Sequence, residues 1–136
     1  MKDDLFFMSL SVLSVWKSGS FKDFQAITLA NDELKITNHT MVYPCSMDKD
    51  LIAIDYFSEI DYEMENSCIY MTHSPNEMFV KTAEYYGIQR IVFIDTKNIV
   101  DLKNKYSNIL CPFNFSFGKI IDVLEQFCPN NCLNNV

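Results

Sequence analysis

The chain is poor in glycine, proline and basic residues, and each shortage excludes a class of protein. Three glycines and four prolines among 136 residues leave little room for flexible linkers or low-complexity segments. Eleven lysines and arginines against eighteen aspartates and glutamates give a formal net charge of −7. Direct binding to nucleic acid needs a basic surface that displaces counterions, so we expect no direct nucleic-acid partner.

The sequence also lacks an apolar stretch long enough to cross a bilayer. Its longest candidate, Leu5–Trp16, falls short of the roughly 20 residues that a spanning helix needs. The preceding Met1–Asp4 is net acidic, whereas a secretory signal begins with positive charge. We predict no membrane association. Leu5–Trp16 has apolar residues at helical spacing, which favours an amphipathic helix, although Met8–Val12 alternates like a strand.

Cysteine usage points to a reducing compartment. The five cysteines are odd in number and scattered, unlike the even set of a disulfide framework. We therefore predict free thiols and a cytoplasmic protein. A loose metal clip of Cys111, Cys128 and Cys132 is a weaker alternative, because no histidine lies near these residues in the sequence.

What the chain does contain is typical of one globular domain. Hydrophobic residues make up 49% of it and aromatic residues 14%, enough for a sizeable core at this length. We predict a single domain over residues 1–128. The asparagine-rich residues 129–136 are interpreted as a C-terminal tail.

The most informative segment is Cys68–Asp95. It reads as an apolar strand at Ile69–Met71, a Thr-His-Ser-Pro turn, a helix, and a second apolar strand at Arg90–Ile94. Pro75 suits the first turn of the helix and Gly87 suits its end. If the two strands are parallel, the helix forms the usual right-handed crossover between them.

This order of elements resembles the core of the zinc-dependent cytidine and deoxycytidylate deaminases. The resemblance is carried by Thr72-x-x-Pro75 and by Gly87-Ile-x-Arg-Ile-Val92. In that family the helix begins with Pro-Cys-x-x-Cys, and both cysteines bind zinc. Here Pro75 is retained, but Asn76 and Phe79 stand at the cysteine positions. Phenylalanine cannot bind zinc, and an asparagine amide is a poor substitute for a thiolate.

The other half of the family's site is altered as well. Those deaminases carry His-x-Glu at the start of a helix, where His binds zinc and Glu moves protons. In the family an Ala-Ile pair follows closely, so Ala53-Ile54 places the motif at Asp48, Lys49 and Asp50. Asp48 then replaces the ligand and Asp50 the catalytic acid, with a carboxylate one bond shorter. The resemblance implies that all three metal positions and the catalytic position are vestigial, with no metal and no cofactor.

The implied fold class is α/β, a cytidine-deaminase-like three-layer sandwich with a mixed sheet of about five strands flanked by helices. The remaining sequence fits that order. We predict a strand at Phe24–Ala30, a turn at 31–33, a strand at Leu34–Thr37, a loop over 38–47, a helix over Asp48–Ile60, a short helix over Asn98–Tyr106, an edge strand over Asn108–Ser116 and a closing helix over Phe117–Phe127.

Several single residues remain candidates for binding. His73 and Glu77 lie in the turn and helix beside the vestigial metal position. We interpret His73 as a solvent-facing turn residue, and Asp48, Asp50 and Glu77 as a solvated rim. A hard cation held by these three carboxylates is the alternative. A separate aromatic set could mark a partner surface or fill the core: Tyr85, Tyr86, Phe113, Phe115 and Phe117.

Three functions are compatible with these observations. The first is a catalytically inactive deaminase-like protein, a structural or regulatory binding partner of an active deaminase subunit or of itself. The second is an active nucleotide- or nucleobase-processing enzyme with a non-standard carboxylate site built from Asp48, Asp50 and His73. The third is a structural component of a larger assembly, such as a viral one. The lost ligands favour the first.

Overall fold

The computed structural model describes residues 4–31, 38–45, 47–60, 64–114, 119, 120 and 122. Within them it contains a five-stranded mixed sheet packed against four helices, which confirms the α/β class. In chain order the elements are α1 (Asp4–Ser18), β1 (Phe24–Ala30), β2 (Asn38–Pro44), α2 (Met47–Ile60), β3 (Cys68–Met71), α3 (Glu77–Tyr85), β4 (Arg90–Phe93), α4 (Val100–Lys105) and β5 (Leu110–Pro112).

The strands lie in the order β2-β1-β3-β4-β5. Strand β1 is antiparallel to both of its neighbours, while β3, β4 and β5 are parallel to one another. The prediction of a parallel pair joined through a helix is therefore confirmed. The last strand lies at the edge of the sheet, as the proline at its end predicted.

Helices cover both faces of the sheet. On one face, α2 and α3 bury Ile54, Phe57 and Phe79 against Ile69 and Ile91 of the central strands. Helix α4 adds Leu102 at the border of the same cluster. On the other face, α1 packs Met8 and Val12 against β1, β3 and β4. Because successive residues of each strand point to opposite faces of the sheet, the strands contribute side chains to two separate cores, one on each face.

Helix α1 confirms the helical interpretation of the amino-terminal apolar stretch. Met8, Val12 and Val15 are fully buried, as their spacing predicted. An ion pair fixes the start of the helix to the sheet: Arg90 donates to Asp4 at 2.8 and 3.1 Å, and the Tyr70 hydroxyl donates to Asp4 at 2.7 Å. Burial raises the pKa of Asp4, but these hydrogen bonds outweigh it and hold the pKa below its usual value.

Helix α3 begins two residues later than predicted. Pro75 precedes the helix instead of opening it, because Asn76 takes the N-cap position. Gly87 ends the helix region with φ of 81°, as predicted. A Cβ at this position would also lie 3.0 Å from Glu65 Cγ, so a larger residue would have to displace Glu65 in addition to adopting the positive φ.

The main correction concerns β2. Residues 38–44, predicted as part of a loop, form the strand that pairs with β1 along its whole length. The prediction failed because β2 is an edge strand that begins with the polar residues Asn38, His39 and Thr40 and ends at Pro44. In α2, Phe57 is buried and Tyr56 is exposed.

Some predictions fall on residues outside the described part of the chain. They concern the strand at Leu34–Thr37, most of the closing helix at Phe117–Phe127, and the tail at 129–136. The single-domain boundary at residue 128 stays a prediction for the same reason. In the described part of the chain, no helix has the length and apolar character needed to cross a membrane.

Candidate functional site

A cavity of about 1020 Å³ opens where β3 and β4 end. Parallel strands bring their carboxyl ends to one edge of the sheet, so the turns at Thr72–Asn76 and Ile94–Lys97 face each other there. Strand β1 is antiparallel to β3 and contributes its first residues, Phe24 and Gln25, to the same edge. Crevices at this position of α/β sheets are common ligand sites.

Asp50 of α2 lies in the wall of this cavity with only 4% of its surface exposed. Its Oδ1 accepts hydrogen bonds from Gln25 Nε2 of β1 at 2.5 Å and from the Tyr43 hydroxyl of β2 at 2.6 Å. Burial and then the neighbouring Asp50 raise the pKa of Tyr43 well above its usual value, so the phenol remains a donor. A buried acidic side chain is therefore held by donors from two strands.

His73 completes this cluster from the turn after β3. Its Nε2 lies 3.2 and 3.3 Å from the two carboxylate oxygens of Asp50. The side chain is 18% exposed, so the interpretation of His73 as a solvent-facing residue is wrong. The reason is that the turn directs the ring inward onto Asp50. Its Nδ1 is buried and has no hydrogen-bond partner among the described residues.

The two turns that frame the cavity are tied together by reciprocal hydrogen bonds. Ser74 N donates to Thr96 Oγ1 at 3.1 Å, and Thr96 N donates to Ser74 Oγ at 3.0 Å. Lys97 N also donates to Ser74 Oγ, at 3.1 Å, and Ser74 Oγ donates to Asp95 at 3.2 Å. These bonds make a rigid frame, because each turn supplies backbone donors that the other satisfies.

The same contacts weigh against covalent catalysis in the cavity. The hydroxyl of Ser74 is engaged by the facing turn and has no histidine beside it in any hydrogen bond that the described residues make. Cys45 also lines the cavity, but burial, with Asp23 and Asp50 nearby, raises the pKa of its thiol. A thiol with a raised pKa is a poor nucleophile. The arrangement is therefore suited to binding a ligand or to proton transfer.

Glu77, the second predicted binding residue, lies at the rim of the cavity. It pairs with Lys105 of α4, accepts from the Tyr106 hydroxyl at 3.2 Å, and lies 3.9 Å from Lys81. These hydrogen bonds hold the pKa of Glu77 below its usual value. Because its partners are basic or hydroxyl groups, Glu77 does not join Asp50 in one carboxylate cluster.

The residues at the positions that the resemblance assigns to zinc ligands do not fit a zinc ion. Asn76 Oδ1 accepts from Phe79 N at 2.8 Å and caps α3, and the Phe79 ring is fully buried in the core. Asp48 lies in the first turn of α2, and its side chain is outside the described part of the structure. Over the described residues, no three His, Cys, Asp or Glu side chains come together as a metal site. A hard-cation site at Asp50 and Glu77 has no support in these contacts.

We expect Asn76→Ala to lower the free energy of unfolding by about 1 kcal/mol, because it removes the side-chain cap from the Phe79 amide. Asn76→Asp is the matched control, since aspartate caps equally well and should leave stability near that of the wild type. Urea denaturation of the three proteins measures both effects. Equal losses in the two variants would contradict a capping role.

Sequence reasoning found part of this site and missed the rest. Asp50 and His73 were singled out, and the structure brings them together. Gln25 and Tyr43 were missed, and their sequence context carries no signal for the site, since they approach Asp50 only through the pairing of β1 with β2.

Comparisons with known proteins return neither a matching protein-family model nor a significantly similar curated protein.

Proposed function

We propose that this chain is a catalytically inactive deaminase-like protein that acts by binding, as a structural or regulatory partner of another protein. The observation that carries the proposal is the role of Asn76 and Phe79. Where the deaminases have zinc-binding cysteines, this chain has a helix cap and a core ring. Both side chains stabilise α3, and neither is suited to hold a metal.

The order of elements supports the finer fold assignment, a cytidine-deaminase-like three-layer sandwich. An opening helix packs on the sheet, an antiparallel β1–β2 pair precedes α2, and a strand–turn–helix–strand unit follows. That is the order which the resemblance implies. The odd number and scattered spacing of the cysteines support a reducing, cytoplasmic setting.

Rebuilding the metal site tests the proposal. We expect a variant with Asp48→His, Asn76→Cys and Phe79→Cys to retain about one zinc ion per chain after dialysis, because these are the three ligand types of a catalytic deaminase site. The wild type should retain none and should release no ammonia from cytidine or deoxycytidylate. Metal analysis and an ammonia assay measure the two properties.

A matched control separates a built site from stray thiols. In it Met78→Cys replaces Phe79→Cys, so the number of thiols is the same but the second thiol lies on the wrong side of α3. Circular dichroism checks that each variant is folded. Equal zinc in both variants would contradict the deaminase-like arrangement. Zinc-dependent ammonia release by the wild type would overturn the proposed loss of activity.

The second candidate is an enzyme with a carboxylate site, and one observation favours it. Asp50 and His73 contact each other in the wall of a large cavity, as a general acid or base and its positioning partner would. Under this hypothesis Asp50→Asn abolishes turnover of a nucleotide or nucleobase substrate while the fold is retained. The hydrogen bonds from Gln25 and Tyr43 to the Asp50 carboxylate favour a structural role for Asp50, and with it the binding function.

A further inference from the structure

Helix α4 forms one wall of the cavity and is weakly attached to the rest of the fold. It lines the cavity with Asp101, Leu102 and Lys105. All six of its residues are described, and none of them is buried. Leu102 is the one residue of α4 that packs against the core cluster, and it is only partly buried there. Few buried apolar contacts are typical of segments that open locally while the rest of the domain stays folded.

Helix α3, which α4 contacts at the cavity, is attached in a different way. Asn76 caps its start, and Phe79, Val80 and Ala83 on its inner side are fully buried. Helix α4 has neither feature, since the residue before it, Ile99, has an apolar side chain that cannot cap a helix. A helix of six residues also depends on tertiary contacts for its stability. We therefore expect α4 to be the less stable of the two helices.

Two ion pairs fasten α4 to the neighbouring walls of the cavity. Lys103 pairs with Asp95 in the turn after β4, and Lys105 pairs with Glu77 at the start of α3. The Tyr106 hydroxyl, one residue beyond α4, donates to Glu77 at 3.2 Å. The side chains of Lys105 and Glu77 are 60% and 47% exposed, so water and salt screen this pair. The attachment of α4 therefore depends on ionic strength.

Both ends of the segment that carries α4 are fixed to the rest of the fold. Before it, Thr96 belongs to the frame of reciprocal hydrogen bonds with Ser74. After it, Ile109 is buried, and its carbonyl accepts from a backbone amide of β4 at 2.8 Å. The linking residues 98–99 and 107–108 belong to no helix or strand. Helix α4 is therefore free to move as a unit between two fixed points.

We propose that residues 98–108 form a lid of the cavity, which opens when the ion pairs of Lys103 and Lys105 break. Opening moves Leu102 away from the core cluster and exposes the inner side of the lid to solvent. Salt promotes the opening because it screens both ion pairs. Such lids control access to the sites that they cover. The inference goes beyond the proposed function and does not depend on it, because it concerns how the cavity is reached.

Hydrogen exchange measured by mass spectrometry tests the lid. In the wild type we expect the amides of residues 103–106 to exchange at least about tenfold faster than those of residues 80–85 in α3. Lys103→Met with Lys105→Met should speed exchange in the lid by about fivefold more, because both ion pairs are lost. Methionine is suitable because it is unbranched and forms helices about as readily as lysine. Exchange in α3 should be unchanged.

Lys81→Met is the matched control. Lys81 lies 3.9 Å from Glu77 but belongs to α3, so its removal takes a cation from the same carboxylate without touching the lid. We expect the exchange of residues 103–106 to be unchanged in this variant. Raising NaCl from about 0.05 M to about 1 M should speed these amides in the wild type and in Lys81→Met. It should have little effect in the double variant, whose ion pairs are already lost.

Alkylation of an introduced thiol measures access to the inner side of the lid. Leu102→Cys places a thiol where the lid lines the cavity, and Val100→Cys places one where the native side chain is 51% exposed. With the two lysines replaced, iodoacetamide should modify the thiol at position 102 about fivefold faster and the thiol at position 100 at an unchanged rate. Tandem mass spectrometry assigns the modification to each position. Equal acceleration at both positions would contradict the opening of a lid.

Three results of the exchange experiment would overturn the inference. The first is a lid that exchanges as slowly as α3 in the wild type. The second is a lid that does not respond to the loss of Lys103 and Lys105, or responds equally to the loss of Lys81. The third is faster exchange of α3 together with the lid, which would mean that the whole domain loosens. The zinc and ammonia assays do not depend on the lid, so the failure of this inference and the failure of the proposed function are distinguishable.

Discussion

Replacing Phe79 by alanine is expected to lower the free energy of unfolding by about 3–5 kcal/mol. The ring is fully buried among Ile54, Val80 and Ile91, between α2 and the sheet. Truncation removes its apolar contacts and leaves a cavity that the rigid sheet cannot fill. Domains of this size have a total stability of about 5–15 kcal/mol, so the variant should unfold at a much lower urea concentration.

Met78→Ala is the matched control for this prediction. It changes the adjacent residue of the same helix, but Met78 is mostly exposed, and its loss should cost within about 0.5 kcal/mol. Urea denaturation followed by circular dichroism measures both variants, and Phe79→Leu provides a milder change if the alanine variant does not fold. A loss below about 1 kcal/mol for Phe79→Ala would mean that position 79 does not face the core.

This result bears directly on function. In the deaminases which the sequence resembles, the side chain at this position binds zinc. In this chain the position is part of the core that holds α3 on the sheet. A large stability loss would therefore indicate that position 79 serves packing in this chain, as the proposed function requires. Placing a cysteine at position 79 removes a buried ring and so lowers stability, and the variant with the introduced zinc ligands must therefore be checked for folding.

The sequence predicts the strand–turn–helix–strand unit well because its signals are local. Apolar runs define β3 and β4, and Gly87 ends α3 through its own backbone conformation. Strand β2 escaped prediction because it has no such signal. Its first residues, Asn38, His39 and Thr40, are polar and Pro44 ends it, so it lacks the apolar run that marks the central strands, and its pairing with β1 is a tertiary contact that no local pattern specifies.

The cavity was predictable only in part, for a related reason. The spacing of Ala53-Ile54 pointed to Asp50, and the turn before Pro75 pointed to His73. No local pattern indicates that Gln25 and Tyr43 donate to Asp50, because these residues come from two other strands. The inward direction of His73 likewise depends on the buried carboxylate beside it, a tertiary contact that a turn motif does not specify.

Removing the Asp50 side chain is expected to lower the free energy of unfolding by about 3 kcal/mol, because Asp50→Ala leaves buried donors without an acceptor. These donors are Gln25 Nε2, the Tyr43 hydroxyl and His73 Nε2, all within 3.3 Å of the carboxylate. Asp50→Asn should cost only about 1 kcal/mol, since its amide oxygen still accepts from Gln25 and Tyr43.

Asp101→Ala is the control variant, because it removes an exposed aspartate from the same cavity instead of the buried one. Asp101 lines the same cavity but is exposed at the start of α4, so its loss should change stability by less than about 0.5 kcal/mol. Equal losses for Asp50→Ala and Asp50→Asn would mean that the hydrogen bonds of this cluster do not stabilise the fold. Urea denaturation gives all three values.

The variants Asp50→Ala and Asp50→Asn also separate a structural role of Asp50 from a catalytic one. Asparagine retains most of the shape and hydrogen bonds of the cluster but cannot take up or release a proton as a carboxylate does. If Asp50 serves binding and stability, Asp50→Asn behaves nearly as the wild type in every assay. If it serves an enzyme, turnover of a nucleotide substrate disappears in Asp50→Asn while the fold remains. The buried hydrogen bonds to Gln25 and Tyr43 hold the carboxylate rigidly within the wall of the cavity, and we therefore expect the first result.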